Sequence, residues 1–285
     1  MKRLLPRLLL APAVLSLFAW MVVPLVMTVY FSVVRYNLTI PGPRVFVGLE
    51  NYRYFFTDPA FLTAVLNTLI LLGSVIGITV VLGVALALLI HEPFPGRGAV
   101  RLLLIAPFFV MPTAAALMWK FMMMNPIYGV LAQISLAFGA QPVDWLTTYP
   151  LLSVIVIVAW EWLPFACLIF ITALQSLDQE QMEAARMDGA TALQRFWFLT
   201  LPHMARSVAV VTMIEMIYLI GVFAEIFTTT SGGPGNASTN VAFLIFKDAL
   251  MNFDIGVASA GALFAVVLAN IAAIFLLRVV GRNLD

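Results

Sequence analysis

Apolar residues form six long stretches along the chain, and polar residues gather in the segments between them. A helix needs about 20 mainly apolar residues to cross the hydrocarbon core of a bilayer. None of the stretches has the alternating pattern that is typical of an outer-membrane strand. The pattern therefore predicts an all-α polytopic membrane protein, with one transmembrane domain over residues 1–285 and six transmembrane helices. The predicted spans cover residues 8–34, 63–90, 100–123, 150–174, 207–230 and 257–280.

The distribution of lysine and arginine predicts how the spans are oriented. If the N-terminus is cytoplasmic, ten of the 15 basic residues lie in inside segments and five lie outside. This excess follows the positive-inside rule, so both termini are expected in the cytoplasm. Prolines inside spans one, three and four predict bent helices, which suit a transporter better than a simple anchor.

Composition narrows the class of protein further. Only 10% of the residues are charged and the formal net charge is +1, so there is no basic surface for nucleic acid. One cysteine and two distant histidines exclude a cysteine-rich or helical zinc site. The chain also lacks the G-x-x-x-x-G-K-[ST] motif, so we expect no bound cofactor and no ATP hydrolysis of its own.

The segment between spans four and five, residues 175–206, has the polar pattern of two short helices. Ser176 and Gln179 fit a capping box, and Gly189 is suited to ending the first helix. Thr191 and Gln194 fit a second capping box, and Pro202 limits the helix that follows it. This pattern predicts a helix–turn–helix at the cytoplasmic face, with the aromatic residues 196–198 available to pack against the spans.

This segment resembles the EAA loop of the permeases of binding-protein-dependent ABC importers. The matching residues are Glu183, Ala184, Ala185, Asp188, Gly189, Leu201 and Pro202. The spacing matches the family pattern throughout, with Leu199 in place of an isoleucine, and Asp178 stands where many carbohydrate permeases have a proline.

The resemblance implies that this loop is a coupling helix, which docks on a cytoplasmic ATPase. Glu183 would anchor the dock, Ala184 and Ala185 would allow close approach, and Gly189 would supply the turn. The implied partners are a second homologous permease, two ATP-binding subunits that hold ATP and Mg, and an extracytoplasmic solute-binding protein. The implied location is the lipid of a bacterial inner membrane.

A second loop, which follows span five, contains Gly232, Gly233 and Pro234. It resembles a Gly-Gly-Pro loop of carbohydrate permeases, and Asn67-Thr68 in span two resembles another feature of that family. The residues fit an external loop that faces the solute-binding protein, and they fit an ordinary turn equally well.

Carboxylates inside the spans are the candidates for a substrate path, since a charged group in lipid usually faces a cavity or a partner. Glu215, Tyr218, Val222 and Glu225 follow a helical spacing that would place them on one face of span five. The remaining candidates are Glu161 and Asn270. Acidic side chains accept hydrogen bonds from hydroxyl groups and repel anions, so they favour a neutral sugar or sugar alcohol. Similarity to sugar-alcohol permeases around residues 225–239 favours a polyol such as mannitol or sorbitol.

Three tryptophans in or near the spans are open to two interpretations. Trp119, Trp160 and Trp162 could stack against a sugar ring, but their positions also fit the aromatic belt at a membrane interface, which is the more common role.

Two other functions are open to a chain of this composition. A proton-coupled secondary transporter could use the intramembrane glutamates as relays. An intramembrane enzyme would need a nucleophile and a base within the spans, and no G-x-S-x-G motif is present. The EAA-like loop favours the ATP-driven importer over both, because only that class needs a dock for an ATPase.

Overall fold

A computed structural model of the chain describes residues 4–281, and it describes the side chains of residues 9–274. The long helices are α1 (Leu4–Ser32), α3 (Phe61–His91), α8 (Pro150–Gln175), α11 (Leu201–Leu219) and α14 (Ile255–Gly281). The shorter helices are α2 (Glu50–Thr57), α4 (Arg97–Ile105), α5 (Pro112–Met118), α6 (Val130–Ala137), α7 (Trp145–Thr148), α9 (Gln179–Met187), α10 (Ala192–Arg195), α12 (Ala224–Thr229) and α13 (Val241–Phe246). Two short antiparallel strands, β1 (Val34–Arg35) and β2 (Val45–Phe46), complete the regular structure of this part of the chain.

The all-α polytopic membrane fold is confirmed. Within the described residues, five helices are long and apolar enough to cross a membrane. A sixth crossing is obtained when the pair Arg97–Phe109 and Pro112–Met123, bent by 107°, is counted as one span. This pair corresponds to predicted span three. The chain is extended at Val110 and the next helix starts at Pro112, because proline cannot continue the hydrogen-bond ladder of the helix before it.

Span five is not the single helix predicted over residues 207–230. Helix α11 ends at Leu219, and α12 begins only at Ala224. The side-chain amide of Asn240 donates a 2.6 Å hydrogen bond to the carbonyl of Val222 inside the break. A distant polar side chain therefore satisfies a backbone group that would otherwise be unpaired in an apolar setting. Hydropathy alone does not reveal such a break, because the residues across it are still mostly apolar.

The chain divides into two compact units. The first comprises Met1–Phe61 and Leu244–Val267. In it, the fully buried ring of Phe55 packs against the rings of Phe61 and Phe264, at centroid distances of 5.5 and 6.1 Å. Asn51 donates hydrogen bonds of 2.9 and 2.8 Å to the carbonyls of Ser32 and Val34, where α1 ends and β1 begins.

The second unit comprises Leu62–Phe243 and Leu268–Asp285 and contains the candidate functional residues discussed below. Its apolar core joins α3, α8 and α11, and Phe170 and Met204 lie at its centre with no exposed surface. At Gly83, an added Cβ would lie 3.1 Å from the ring of Phe170, so glycine allows α3 and α8 to approach closely here. This packing positions the segment between α8 and α11.

Candidate functional site

The first helix of the segment 175–206 starts two residues later than the predicted capping box suggests. Its cap is Asp178, whose carboxylate accepts a 2.9 Å hydrogen bond from the backbone N–H of Glu180. Ser176 is not the cap, because its hydroxyl donates to the carbonyl of Ala173 at the end of α8. The acidic cap also stabilises the positive end of α9. Helix α9 ends before Gly189, which takes the left-handed conformation with φ of +79°.

The second helix starts where the sequence predicts, but it does not end where the sequence predicts. Thr191 and Gln194 form the expected capping box. Helix α10 then continues through a wide π-turn, Phe196–Thr200, into α11, and does not stop before Pro202. In this turn the N–H of Leu201 donates to the carbonyl of Phe196, five residues back. The wider turn accommodates the proline ring, which would clash with a regular helical carbonyl.

The EAA-like residues lie mostly at the surface of this helix–turn–helix. Glu183, Ala184, Asp188, Gly189 and Pro202 are exposed, and Ala185 and Leu201 are half-buried. Of the aromatic residues 196–198, only Phe196 packs against the core, while Trp197 and Phe198 are exposed.

Large apolar side chains of the same segment are also exposed. Met187 is 89% exposed, Phe198 is 76% exposed and Leu193 is 67% exposed. We call Met187, Leu193, Trp197 and Phe198 the apolar patch. Clustered apolar side chains on a polar loop are typical of a surface that another protein covers. Behind α9 lies a cavity of about 410 Å³, lined in part by His91, Gln179, Glu183 and Arg186.

Glu215 is completely buried within the second unit, and its partner is on another helix. Its Oε2 accepts a 2.7 Å hydrogen bond from the hydroxyl of Thr79 on α3. Its Oε1 has no hydrogen-bond partner among the described residues. The sequence analysis missed Thr79, although a threonine in the middle of an apolar span was a usable signal. The pair places a carboxylate in the interior, with one oxygen open to a further donor.

Glu161 on α8 and Glu225 on α12 form a second carboxyl group pair. Both residues are buried, and their carboxyl groups lie close enough to interact electrostatically. Lys120 lies beside the same helix and donates hydrogen bonds of 3.0 and 3.1 Å to the carbonyls of Thr228 and Thr229. It thereby caps the negative end of α12.

The predicted common face of Glu215, Tyr218, Val222 and Glu225 is wrong, because α11 ends before residue 222. Tyr218 is 63% exposed although Glu215 is fully buried. The Tyr218 ring instead packs against Trp162, with ring centroids 5.4 Å apart.

The other aromatic and polar candidates also have defined positions. Trp119 and Trp160 meet edge to face with centroids 5.9 Å apart. Asn270 is exposed on α14. The structure therefore places Glu161 with Glu225 and Tyr218 with Trp162, while Glu215 pairs with a residue that the sequence analysis did not select.

The Gly-Gly-Pro loop is held in place by many hydrogen bonds. Gly232 has φ of +80°, and the peptide bond between Gly233 and Pro234 is cis. Ser238 and Thr239 are buried, and the Thr239 hydroxyl donates a 3.2 Å hydrogen bond to the carbonyl of Gly232. The tip is more open, since Pro234 is exposed and Gly233 half-buried. The loop is thus an ordered structure with an exposed tip.

Comparisons with known proteins decide the family. The family model described as "Binding-protein-dependent transport system inner membrane component" matches residues 54–285. The chain belongs to this family. The permease is 35% identical to a probable ABC transporter permease protein, y4oQ, of Sinorhizobium fredii, over 86% of this chain and 80% of that protein. It is 30% identical to the trehalose/maltose transport system permease protein MalF of Thermococcus litoralis, over 84% of this chain and 81% of the relative.

A solved structure shares the fold of the permease. It is a bacterial alginate ABC transporter in complex with an alginate pentasaccharide-bound periplasmic protein. The TM-score is 0.79 at 24% identity, over 96% of this permease and 94% of that chain. Because the family consists of inner-membrane transport components, the permease is a multi-pass membrane protein of ABC importers and a transport subunit, not an enzyme.

Proposed function

We propose that this permease forms half of the translocation pathway of an ATP-driven importer for a sugar or sugar alcohol. The observation that carries the proposal is the surface of the helix–turn–helix over α9 and α10. An EAA-like motif is displayed there beside an exposed apolar patch, on a segment that packing against α8 and α11 fixes to the spans. A surface of this kind transmits force between a bound partner and the spans.

The geometry of this segment supports coupling to an ATPase. Glu183 projects a carboxylate on the exposed side of α9, and Ala184 leaves room for a partner to approach the backbone. Gly189 fixes the angle between α9 and the next helix. Two ATPase subunits would hold ATP and Mg, and closure of these subunits on ATP would move α9. A second, homologous permease would complete the pathway.

The interior of the second unit suits a neutral substrate rich in hydroxyl groups. Glu215 and Glu161 each have a buried carboxylate oxygen with no hydrogen-bond partner in the described part of the chain. Such oxygens accept hydrogen bonds from sugar hydroxyls and repel phosphate or carboxylate groups. The MalF relative is named for trehalose and maltose, which are neutral sugars. A polyol such as mannitol or sorbitol has the same hydroxyl chemistry and is our finer proposal.

The external side of the permease would receive substrate from a solute-binding protein. We assign this contact to the loop tip at Gly232, Gly233 and Pro234, with both chain termini in the cytoplasm. The periplasmic protein in the related alginate complex supports a partner of this class. The aromatic side chains of Trp162 and Tyr218 and the amide of Asn270 are candidates for contact with a sugar along the path.

The test is purification of the tagged permease from its native membrane. We expect a second permease and an ATPase to co-purify, and we expect solute-binding protein loaded with a neutral sugar or polyol to stimulate ATP hydrolysis. A panel should compare trehalose, maltose, mannitol, sorbitol and a sugar phosphate. Absence of an ATPase from the complex would overturn the importer proposal. Stimulation by the sugar phosphate alone would overturn the neutral substrate.

A further inference from the structure

The first observation is a cavity in the second unit, lined by the end of α3, the second half of α4 and the end of α8. Its volume is about 220 Å³. Five leucine and isoleucine side chains line it, among them Leu104 and Leu168. Three polar side chains also reach it, those of Arg101, Thr172 and Gln175. An apolar chamber with a guanidinium group in its wall is an unusual arrangement beside lipid.

The guanidinium group of Arg101 is not paired. Its Nε and Nη2 atoms are buried and have no hydrogen-bond partner within the described residues. The one ion pair found in this part of the chain joins Arg35 to Glu50, so no carboxylate neutralises Arg101. Arginine stays charged in proteins, and buried charges are normally paired. The site therefore lacks an anion that would complete it.

A neighbouring arginine on the same helix does have a hydrogen-bond acceptor. Arg97, one helical turn earlier on α4, donates a 2.7 Å hydrogen bond from Nε to the carbonyl of Ile90. This hydrogen bond pairs a backbone carbonyl near the end of α3. Arg101 finds no such acceptor, although the same two helices surround it. The positive charge of Arg101 is therefore available to bind an anionic ligand that is not part of this chain.

Helix α4 also exposes apolar side chains next to Arg101 in the chain. Leu102 and Leu103, which follow Arg101 directly, are 72% and 73% exposed. In the orientation proposed above, this level is the cytoplasmic boundary of the membrane. Basic pockets between transmembrane helices on that side bind the headgroups of anionic lipids. A planar guanidinium group pairs with a phosphate through two parallel hydrogen bonds.

We propose that this cavity binds an anionic phospholipid of the cytoplasmic leaflet. The lipid phosphate pairs with Nε and Nη2 of Arg101, and the start of an acyl chain lies along Leu104, Leu168 and Ile171. The hydroxyl of Thr172 and the amide of Gln175 stand at the same cavity, where they contact the headgroup. The lipid wedges between α4 and α8 near the segment that leads to the coupling helix α9. The proposal relies on the proposed orientation for the leaflet, but not on the identity of the substrate.

The test measures lipid retention by native mass spectrometry on the full chain, with or without its ATPase subunits. The purified protein is exposed to equal amounts of phosphatidylglycerol and phosphatidylcholine with identical acyl chains. The wild type is expected to retain phosphatidylglycerol about tenfold better, as for a charge-assisted bidentate contact. Arg101→Gln should abolish this preference. Arg206→Gln, at an exposed cytoplasmic arginine, is the matched control and should keep it.

A second variant and a competitor make the test decisive. Leu168→Trp fills the cavity and leaves the charge of Arg101 in place, so it should also lower phosphatidylglycerol retention. If Arg101→Gln fails to fold, Leu168→Trp still tests whether the cavity binds the lipid. Inorganic phosphate at millimolar concentration should not displace the lipid. Equal retention of both lipids by the wild type, retention unchanged in both variants, or displacement by free phosphate would each overturn the lipid site. Because retention is measured without transport, its failure is distinct from a failure of the importer proposal.

Discussion

The side-chain amide of Asn67 donates a 2.9 Å hydrogen bond to the carbonyl of Thr239, 172 residues later in the chain. The same nitrogen lies 3.2 Å from the carbonyls of Asn236 and Ala237. Next to it, the hydroxyl of Thr68 accepts a 3.0 Å hydrogen bond from the N–H of Val241. The Asn-Thr pair of span two therefore holds the Gly-Gly-Pro loop.

Replacement of Asn67 by alanine should loosen this loop. The variant leaves the carbonyls of Thr239 and its neighbours without their donor, and we expect a loss of about 1–3 kcal/mol. Amide hydrogen exchange across residues 232–241 should rise, and the melting temperature should fall. Asn236→Ala is the matched control, because it keeps the backbone carbonyl that Asn67 contacts. Equal exchange in the two variants would show that Asn67 does not hold the loop.

Gly232→Ala should destabilise the protein more than Gly235→Ala. Both glycines have positive φ, +80° and +62°, so both variants strain the backbone. At Gly232 an added Cβ would also lie 2.5 Å from Oγ1 of Thr239 and 2.6 Å from the ring of Phe243, whereas nothing lies within 4 Å at Gly235. Overpacking of this kind should add about 1–3 kcal/mol. Thermal unfolding of the two variants measures the difference, and identical melting temperatures would contradict it.

Removal of the Thr79 hydroxyl should destabilise the interior of the second unit. Thr79→Val leaves both oxygens of the fully buried Glu215 without a partner, at a cost of about 1–3 kcal/mol. The double variant with Glu215→Leu should recover most of that loss, since it removes the unpaired acceptor as well. Thr28→Val is a suitable control, because the Thr28 hydroxyl donates its hydrogen bond to the carbonyl of Pro24 within its own helix. Additive losses in the double variant would argue against this pair.

Stability should depend on pH through Asp248, which lies in the first unit between α13 and α14. Burial raises its pKa from 3.8 to about 6, and the carboxylates of Asp58 and Asp254 add to the rise, while a hydrogen bond from Asn252 opposes it. A carboxyl group whose folded pKa is raised costs stability as the pH climbs from about 4 to 6. Asp248→Asn should therefore be more stable than the wild type at pH 7, by up to roughly 3 kcal/mol.

The pH profile of the two proteins provides the check on Asp248. The difference in melting temperature should shrink as the pH falls from about 6 to 4 and be smallest below about pH 3, where the wild-type carboxyl group is protonated in both states. A difference that stays constant from pH 4 to pH 7 would rule out titration of Asp248 as its cause.

Hydropathy and local capping rules predicted much of this fold, because they depend on residues that are close in the chain. The spans α3 and α8 follow directly from apolar length. The capping box of Thr191 and Gln194 and the turn at Gly189 follow from local hydrogen bonding and backbone freedom. Ser176 and Asp178 were both possible caps for α9. The serine hydroxyl donates its hydrogen bond to a carbonyl at the end of α8, so the aspartate is the cap.

Features that depend on distant residues were not accessible from these patterns. The break after Leu219 is supported by Asn240, and the carboxylate of Glu215 is supported by Thr79. Periodicity along one segment carries no information about either partner. The candidate path residues stay predictions, drawn from polar groups within apolar stretches, and their grouping on one helix face assumed a continuous helix that the structure does not have.

The most direct test of the account is uptake of radiolabelled substrate by the reconstituted importer, with ATP sealed on the cytoplasmic side. Wild type should import only with ATP, and dissipation of the proton gradient should not stop it. Glu183→Lys should abolish both uptake and ATPase binding. Glu180→Lys, an equal charge change on the same exposed helix, should retain most uptake. Uptake that needs no ATP, or that survives Glu183→Lys unchanged, would contradict coupling through α9.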